Sequence, residues 1–392
     1  MPQIEIVAQK IKNQLYAAVL DKGKVIDLYA DSKAIHAKWS SIYLGKVEKI
    51  DTALDGAFVN IGGNQTGFLS AKHVHKKDID TKSEPISSLL EPGQMIMVQV
   101  KSEGHQKTEH EHQKQPRLTM KLYIPGRTLI YSPTAHKVTV SRHINNKDIF
   151  SIANDLKSKG GWIIRDAAEK AGSEQLMKEA EHLKKMWKNI HDLKKNNSTS
   201  PRLLMEGPNA ICRAIMDYSG YDVKHIDIAE DCKPDQIKMW CEHHLPGVCE
   251  KINVEPVHKV DLFEQRDIHG TIESAIHERV DLKDGGSLII EDTHALTVVD
   301  VNRGSASDIK TLNKQAALEV ARQLKLRNIS GAILVDFLNL RLRSDRYNLI
   351  ETLENAVKMD PGKTQIHGFT RLGIMEITRT RRTATLSEKY MD

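Results

Sequence analysis

The stretch ALTVVDVNRGSASDIKTLNKQAALEVARQLKLRNISGAILVDFLNL, residues 295–340, decides the fold of this chain. It contains two β-branched apolar runs, residues 295–301 and 331–338, which are too apolar to alternate between polar and apolar positions. Strands that are buried on both faces have this composition, so we expect both runs to lie in a covered sheet.

An amphipathic segment separates the two runs. Its apolar residues recur at every fourth position, which places them on one face of a helix: Leu312, Ala316, Val320 and Leu324. Ser307 or Asp308 is suited to cap the N-terminus of this helix. Because a crossover of this length makes the flanking strands parallel, the stretch is predicted to form a strand, a helix and a second, parallel strand.

Each predicted strand ends in a carboxylate, Asp300 in the first and Asp336 in the second. Open α/β sheets place their ligand sites at the carboxyl ends of parallel strands, so we expect the two carboxylates to approach each other there. Mg²⁺ binds one or two protein carboxylates and keeps several waters, which leaves positions for a phosphate oxygen and a nucleophilic water. Asn302, two residues beyond Asp300, is expected to orient that water or one carboxylate.

A purely structural role is the alternative for each aspartate, since aspartate also ends strands and caps turns. Two carboxylates at the ends of apolar strands are costly to bury without a cation or hydrogen-bond donors. The sequence pattern is compatible with both interpretations of the pair, a metal site and two strand ends.

Composition limits the classes of protein. The chain has 392 residues and a formal net charge of +5, which is enough length for several domains and permits a polyanionic partner without requiring one. No N-terminal signal is apparent and no apolar run reaches roughly 18 residues, so we expect a cytoplasmic protein without a membrane span. The four cysteines predict reduced thiols, and the run at 241–249, CEHHLPGVC, is more typical of a helix end than of a metal site.

Residues 37–118 change to five short strands separated by turns that contain glycine. This spacing predicts a small barrel of the OB type, whose open face binds single-stranded nucleic acid. Phe58 and Phe68 are candidate stacking platforms, with nearby lysines for backbone phosphates, Lys46, Lys49, Lys72 and Lys114. The alternative, which the residues alone favour, is that both phenylalanines fill the barrel interior.

The segments on either side of the barrel are predicted to form one discontinuous domain. Residues 1–36 read as an antiparallel meander that is too short for a core of its own, and residues 208–276 alternate helix and strand and can complete it. Residues 119–207 read as a small α/β module with a charged helix at 173–193. In it, Arg165 follows an apolar strand and is a candidate phosphate ligand or an ion-pair partner of Asp166.

Two further polar segments stand out. Residues 101–115 are expected to form a solvated loop, with weak metal binding as the alternative for its histidines, His105, His110 and His112. Residues 367–382 read as a basic strand that could place cations beside the aspartate pair, Arg371, Arg379, Arg381 and Arg382.

Four segments taken together are recognisable: IYLGKVEKIDTALDGAFVNIGGNQTGFL at 42–69, VVDVN at 298–302, QLKLRNISGAILVDF at 323–337 and FTRLGIMEITRTR at 369–381. With them, the chain resembles the catalytic half of the bacterial ribonuclease E/G family over nearly its whole length. The resemblance implies an α+β, multi-domain fold. An RNase H-like domain at 1–36 and 208–276 would be interrupted by an S1-type OB barrel at 37–118 and a 5′-sensor module at 119–207, and followed by a DNase I-like catalytic subdomain at 277–392.

The resemblance also implies a Mg²⁺-dependent endoribonuclease that cleaves single-stranded RNA to 5′-phosphate and 3′-hydroxyl ends, in ribosomal RNA processing or messenger RNA decay. Asp300 and Asp336 match the metal-binding aspartates, and Asn302 and Arg371 match further active-site residues. Phe58, Phe68 and Lys114 match positions that hold RNA on the barrel, which replaces the barrel-interior interpretation. The implied 5′-phosphate sensor comprises Gly126, Ile130, Arg142 and Arg165.

The chain departs from the family pattern at two places. The family's sensor arginine is followed by threonine, whereas Arg165 is followed by Asp166, whose carboxylate repels a terminal phosphate. The resemblance therefore does not carry a preference for 5′-monophosphate ends to this chain. The family's CPxC zinc-link has no counterpart in the sequence, so zinc is not expected and any homo-oligomer is expected to form without that link.

Two other classes of function are weighed against the nuclease. A non-catalytic RNA-binding relative would use the barrel and the basic strand without turnover, and the presence of both Asp300 and Asp336 argues against it. A nucleotide-binding assembly factor on a doubly wound sheet would need a glycine-rich phosphate loop, and the sequence contains no GxxxxGK[ST] motif.

Overall fold

The computed structural model describes residues 3–32, 37–76, 84–104, 114–141, 144–157, 160–195, 200–256, 261–293 and 295–390. These residues form four β-sheets with helices packed against them. Strands and helices are numbered along the chain. Among the described residues, no helix has both the length and the hydrophobicity needed to cross a bilayer.

The first sheet joins the two ends of the predicted discontinuous domain. Its strands, in spatial order, are β15 (Ile252–Glu255), β14 (Asp222–Ala229), β1 (Gln3–Ile11), β2 (Gln14–Asp21) and β3 (Lys24–Ala30). The first three strands along the chain form the predicted antiparallel meander, and β14 pairs with β1 in parallel. Its core also takes side chains from α4 (Ala210–Tyr218), α5 (Pro234–His244) and α6 (Ile268–Ile276). The prediction that residues beyond 208 complete the meander is confirmed.

The second sheet is a closed five-stranded barrel. It consists of β4 (Ile42–Asp51), β5 (Gly56–Gly62), β6 (Gln65–Ser70), β7 (Met95–Ser102) and β8 (Arg117–Thr119), and the pairing of β4 with β7 closes it. The short helix α1 (Ile86–Leu89) packs against the barrel core. The predicted OB-type barrel is confirmed. A further strand, β13 (Arg202–Met205), pairs with β4, although the sequence places it outside the predicted barrel range.

The third sheet belongs to the small α/β module. Its order is β11 (Val138–Val140), β12 (Gly161–Ile164), β10 (Leu129–Ser132) and β9 (Ile124–Pro125). Two helices share its core, α2 (Lys147–Lys157) and α3 (Ser173–Lys195), and the second confirms the predicted charged helix. The core is anchored by fully buried Trp162, whose ring centroid lies 4.6 Å from that of Tyr131.

The fourth sheet contains the predicted strand, helix and strand of residues 295–340. Its order is β16 (Arg279–Asp281), β17 (Ser287–Asp292), β18 (Thr297–Asn302), β19 (Gly331–Asp336), β21 (Met375–Arg379) and β20 (Gln365–Phe369). Helix α7 (Ile309–Leu326) connects β18 to β19, which pair in parallel as predicted. The Asp308 side chain caps α7 by accepting a hydrogen bond from the Lys310 N–H. Two further helices follow, α8 (Arg343–Val357) and α9 (Leu386–Tyr390).

The expectation that this sheet is covered on both faces is wrong. Along β18 the buried residues Thr297, Val299 and Val301 alternate with less buried ones, and Asp300 and Asn302 are exposed. One face packs on α7 and α8, whereas on the other face Asp300, Asn302 and Asp336 are exposed in the described part of the chain. The β-branched composition was misleading because valine and isoleucine favour strands whether or not both faces are covered.

Three of the four arginines of the basic C-terminal strand do not lie beside the aspartate pair. Strand β21 runs antiparallel to β19, so Arg379 lies opposite Gly331, at the far end from Asp336. There it makes a buried two-point ion pair with Asp360, at 2.8 and 2.9 Å. Two others pair elsewhere, Arg381 with Glu388 and Arg382 with Asp217. The expectation that they supply cations to the site is therefore wrong, because the antiparallel register carries them away from it.

Candidate active site

Asp300 and Asp336 face each other across two neighbouring strands. They are register partners in the parallel pairing of β18 with β19, and each is at or near the carboxyl end of its strand. Neighbouring strands lie about 4.8 Å apart, so the two carboxylates project side by side from the open face of the sheet. Both side chains are exposed. The predicted approach of the two aspartates is present in the structure.

Asn302 holds one of these carboxylates in place. It lies two residues after Asp300 on the same face of β18, and its Nδ2 donates a hydrogen bond to Asp300 Oδ2 at 2.9 Å. This contact involves one of the two carboxylate oxygens of an exposed side chain. Of the two roles expected for Asn302, orientation of a carboxylate is the one with a visible contact.

Arg371 lies at the same edge of the sheet as the aspartate pair. It belongs to the turn that connects β20 with β21, and the register partner of Met375 on the other side of that turn is Val335, the residue before Asp336. The turn is closed by a hydrogen bond from the Thr370 N–H to the Ile374 carbonyl at 2.8 Å. Gly373 adopts a φ of 89°, which favours glycine. Arg371 is exposed and has no ion-pair partner among the described residues, so its guanidinium is available to an anion.

The donor set at this edge fits a hard divalent cation. Asp300 and Asp336 supply oxygen ligands on one open face, and in the described parts of the chain no third histidine, cysteine or carboxylate joins them as a metal cluster. Mg²⁺ is commonly held by one or two carboxylates and completes its octahedral shell with water and substrate oxygens. A closed set of nitrogen and sulfur ligands, which zinc prefers, is not what these two residues offer.

Phe58 and Phe68 form an aromatic pair on the outside of the barrel. They are register partners on β5 and β6, and their ring centroids lie 5.5 Å apart in an edge-to-face arrangement. Both rings are half-buried, whereas their neighbours Ala57, Val59 and Leu69 point inward and are fully buried. The barrel-interior interpretation of the two phenylalanines is therefore wrong.

Basic side chains lie on both sides of this aromatic pair and form one row with it across the barrel sheet. Lys49 is the register partner of Phe58 on one side, and Arg117 is the partner of Phe68 on the other. Lys114 is exposed and precedes Arg117 by three residues. The row thus presents two aromatic faces between cations, the combination that binds single-stranded nucleic acid.

The structure brings together three of the four predicted sensor residues. Ile130 and Ile163 are register partners, and Arg165 directly follows β12, two residues after Ile163. Arg165 Nη1 donates a hydrogen bond to the Gly126 carbonyl at 2.9 Å. Arg142 lies outside the described residues, as do His105, His110 and His112 of the predicted polar loop.

Gly126 has a structural reason to be glycine. A Cβ atom built at this position would collide with the Glu179 carboxylate and would lie only 3.1 Å from the Leu129 carbonyl oxygen. The same carboxylate accepts hydrogen bonds from the N–H groups of Thr128 and Leu129. The tight turn thus fixes the carbonyl group that orients Arg165.

Ile130 and Arg165 line a large cleft of about 1300 Å³ between the barrel, the α/β module and the C-terminal part of the chain. Asp166 also lines this cleft and accepts a hydrogen bond from the Ser141 hydroxyl. The carboxylate that directly follows Arg165 in the sequence therefore stands at the wall of this cleft.

Sequence reasoning named Lys72 but missed two further lysines at the same cleft, Lys101 and Lys121. Lys101 and Lys121 are anchored on the turn that contains Lys72 and His73, and all three segments meet only in the folded barrel. The sequence does place one lysine at or just beyond the end of each of three barrel strands. No local pattern shows that these three lysines come together.

Comparison with known proteins is consistent with this geometry. A sequence model of the ribonuclease E/G family matches residues 123–382, and a model of the S1 RNA binding domain matches residues 40–110. Ribonuclease E of Synechocystis sp. is 32% identical over 408 residues, which cover 100% of this chain and 58% of that protein. Ribonuclease G of Haemophilus influenzae is 29% identical over 412 residues, covering 100% of this chain and 82% of its own length. Ribonuclease G of Escherichia coli K12 is 29% identical over 398 residues, with 96% and 80% covered.

Proposed function

Because this chain belongs to the ribonuclease E/G family, we propose that it is an endoribonuclease that hydrolyses single-stranded RNA with the help of Mg²⁺. The observation that carries the proposal is the pairing of Asp300 with Asp336 on the open face of a sheet. The chain spans 58% of the ribonuclease E relative, so the activity of that longer protein enters here only as part of the proposal.

Asp300 and Asp336 would hold the Mg²⁺ ion, which when bound would lower the pKa of a water ligand and neutralise charge on the phosphate. The role of Asn302 follows from its hydrogen bond to Asp300 Oδ2, since this contact fixes the orientation of one carboxylate. Residues that orient metal ligands in this way are needed for both affinity and activity.

Arg371 is suited to bind the scissile phosphate. Its guanidinium carries several N–H donors in a planar fork and has no competing carboxylate among the described residues. Charge on the non-bridging oxygens increases as the phosphorus becomes five-coordinate, so a fixed cation stabilises the transition state more than the bound substrate.

The proposed reaction is a direct hydrolysis. A water oxygen gives up a proton and forms a bond to phosphorus while the bond from phosphorus to the 3′ oxygen breaks. The leaving 3′ oxygen takes up a proton. The products are one fragment with a 3′-hydroxyl and one with a 5′-phosphate. No side chain of the protein becomes covalently attached to the RNA.

The barrel is proposed to hold the RNA strand. Bases stack on Phe58 and Phe68, while Lys49, Lys114 and Arg117 lie beside the aromatic pair for the backbone phosphates. Stacking tolerates every base, so this contact would supply affinity without sequence preference.

The cleft around Arg165 is proposed to receive the 5′ end of the RNA. Gly126, Ile130 and Arg142 would complete this site by the family resemblance. Because the Asp166 carboxylate also lines the cleft, we propose that its preference for a 5′-monophosphate is weaker than Arg165 alone would give.

The cellular role and the domain boundaries are proposed as well. We propose a cytoplasmic enzyme that acts in ribosomal RNA processing or messenger RNA decay. The division of the chain at residues 36, 118, 207 and 276 also stays a proposal, with β13 contributing to the barrel sheet.

The test is cleavage of a short, 5′-labelled, A/U-rich single-stranded RNA by the chain and by Asp300→Asn, each with Mg²⁺ or with EDTA. We expect internal cuts only with Mg²⁺ and only in the unmodified chain. Intact RNA that binds tightly to both proteins under all conditions would instead identify an RNA-binding protein without turnover.

A further inference from the structure

A single turn at the edge of the barrel anchors two lysines from other segments. This turn, Ala71–His73, follows β6. The Lys101 ammonium, from β7, lies 2.8 Å from His73 Nε2, and the Lys121 ammonium donates to the Lys72 carbonyl at 2.8 Å. Each ammonium keeps further N–H donors for a ligand. Lys72, Lys101, Arg117 and Lys121, together with His73, are called the basic cluster below.

His73 is a neutral ring that positions Lys101. An ammonium group has only donors, so Nε2 must accept the hydrogen bond and the ring proton must lie on Nδ1. Burial, and then the charges of Lys101 and Lys121, lower the pKa of His73 to about 4. His73 therefore holds the Lys101 ammonium without adding a charge of its own at neutral pH.

The charge of the basic cluster is not balanced by neighbouring carboxylates. Lys72 and Arg117 also lower the pKa of His73, and burial followed by Lys72, Arg117 and Lys121 lowers the pKa of Lys101. No carboxylate of the described residues forms an ion pair with any of the four cations. Four cations that repel one another at one place are the electrostatic footprint of a site for a polyanion.

The position of the basic cluster links the two proposed RNA contacts. Arg117 is the register partner of Phe68, so the cluster begins directly beside the aromatic pair. His73, Lys101 and Lys121 line the same cleft as Arg165. A strand that left the aromatic pair for the sensor cleft would therefore pass along the cluster.

We propose that the basic cluster binds the phosphate backbone of single-stranded RNA between the aromatic pair on the barrel and the 5′-sensor cleft. The inference rests on the proposed function for the identity of the ligand. Lysines act as point charges and read no bases, so the cluster would add affinity for longer strands and strong salt dependence without sequence preference.

The test is RNA binding by the full chain carrying Asp300→Asn, which allows binding to be measured apart from cleavage. Anisotropy is recorded with two labelled RNAs, one of about 5 nucleotides that occupies the aromatic pair and one of about 20 nucleotides that also reaches the cleft. The double substitution Lys101→Gln and Lys121→Gln is compared with Lys185→Gln and Lys188→Gln, which remove the same charge from exposed positions on α3.

We expect the cluster substitutions to weaken binding of the long RNA on the order of tenfold at 0.1 M salt and to reduce the salt slope by about 1.4, while the short RNA binds as before. The α3 substitutions should change neither quantity by a comparable amount. Lys101→Arg with Lys121→Arg should restore most of the affinity, because the charge returns.

Unchanged affinity and slope for the long RNA in the cluster variant would overturn the inference, and so would an equal loss for both RNAs. Cleavage measured in the same variants without Asp300→Asn separates this inference from the proposed function. A chain that cleaves RNA but whose cluster variant binds normally refutes only the cluster, whereas a chain that never cleaves refutes the nuclease and leaves the binding result standing.

Discussion

Asp300 and Asp336 are register partners on neighbouring parallel strands, and both point to the open face of their sheet. Side chains alternate along a strand, so a slip of one residue in this pairing would place one aspartate on the covered face, against α7 and α8. The residues that precede them, Val299 and Val335, are register partners with nearly no exposure, and their burial prevents such a slip. The core of the sheet thus fixes the geometry of the site.

Removal of the second carboxylate should abolish cleavage. We expect Asp336→Asn to lower kcat by on the order of 10³-fold or more, since half of the ligand set is lost, while RNA binding stays within about twofold. Glu291→Gln is the matched control, because Glu291 is exposed on the neighbouring strand β17 opposite Val298. The control should cleave normally. Loss of RNA binding together with unfolding in Asp336→Asn would assign Asp336 a structural role.

Replacement of the residue that orients Asp300 should change the metal requirement. Asn302→Ala removes the hydrogen bond to Asp300 Oδ2, and we expect the Mg²⁺ concentration for half-maximal cleavage to rise by roughly 10- to 100-fold. The measurement is a Mg²⁺ titration of the cleavage rate. A lower rate at every Mg²⁺ concentration with an unchanged midpoint would show that Asn302 acts on the water or the RNA and not on the carboxylate.

The aromatic pair should contribute to RNA binding and little to folding. Phe58→Ala or Phe68→Ala is expected to weaken single-stranded RNA binding by about 1–3 kcal/mol, because each ring offers a stacking surface. Their neighbour Val59 is fully buried in the barrel, so Val59→Ala should lower the free energy of unfolding by roughly 1–2 kcal/mol. Binding isotherms and thermal melts of all three variants distinguish these roles. A large loss of stability in Phe58→Ala with unchanged RNA affinity would contradict the assignment.

Neutralising Asp166 should increase the response to a 5′-monophosphate. Asp166→Thr removes a carboxylate from the cleft wall beside Arg165, and we expect the ratio of cleavage rates for 5′-monophosphate over 5′-hydroxyl RNA to rise by roughly fivefold. Ser141→Ala is the control, since it removes the hydrogen bond to Asp166 and keeps the charge. Equal ratios in the parent and in Asp166→Thr would show that the Asp166 carboxylate does not oppose binding of the terminal phosphate.

A half-buried histidine should make folding sensitive to mild acid. His244 stacks on Trp240, with ring centroids 4.4 Å apart, and its Nδ1 is buried without a hydrogen-bond partner in the described structure. Burial, and then the nearby His243 and His182, lower the pKa of His244 from 6.5 to about 4. Between these two pH values the unfolded chain binds a proton that the folded chain does not, so stability is lost as the pH falls from 6.5.

The loss at His244 should amount to about 3 kcal/mol by pH 4, because the pKa of this residue is 6.5 in the unfolded chain and about 4 in the folded chain. The comparison is with His244→Phe, which keeps an aromatic ring against Trp240 and cannot titrate. Denaturant unfolding at several pH values should show the parent losing stability relative to this variant below pH 6.5. Parallel pH profiles for the two proteins would contradict the expected shift.

The local patterns of the sequence determined much of the fold. The period of apolar residues between 312 and 324 identified α7, and the length of that helix required β18 and β19 to be parallel. The sequence was therefore sufficient to predict that Asp300 and Asp336 lie close together. The strands of the barrel and the meander were likewise predictable, because turn residues and alternation act over a few positions of the chain.

The tertiary structure determined which face of each sheet is exposed and which residues meet at its edges. The sequence could not show that one face of the catalytic sheet is open, since alternation fixes which residues share a face but not what covers it. The antiparallel register of β21 placed the turn that carries Arg371 at the same edge of the sheet as Asp336, and it placed Arg379 at the far end, where it pairs with buried Asp360. The basic cluster joins residues 73, 101, 117 and 121 through barrel closure, a long-range contact that no local pattern of charge encodes.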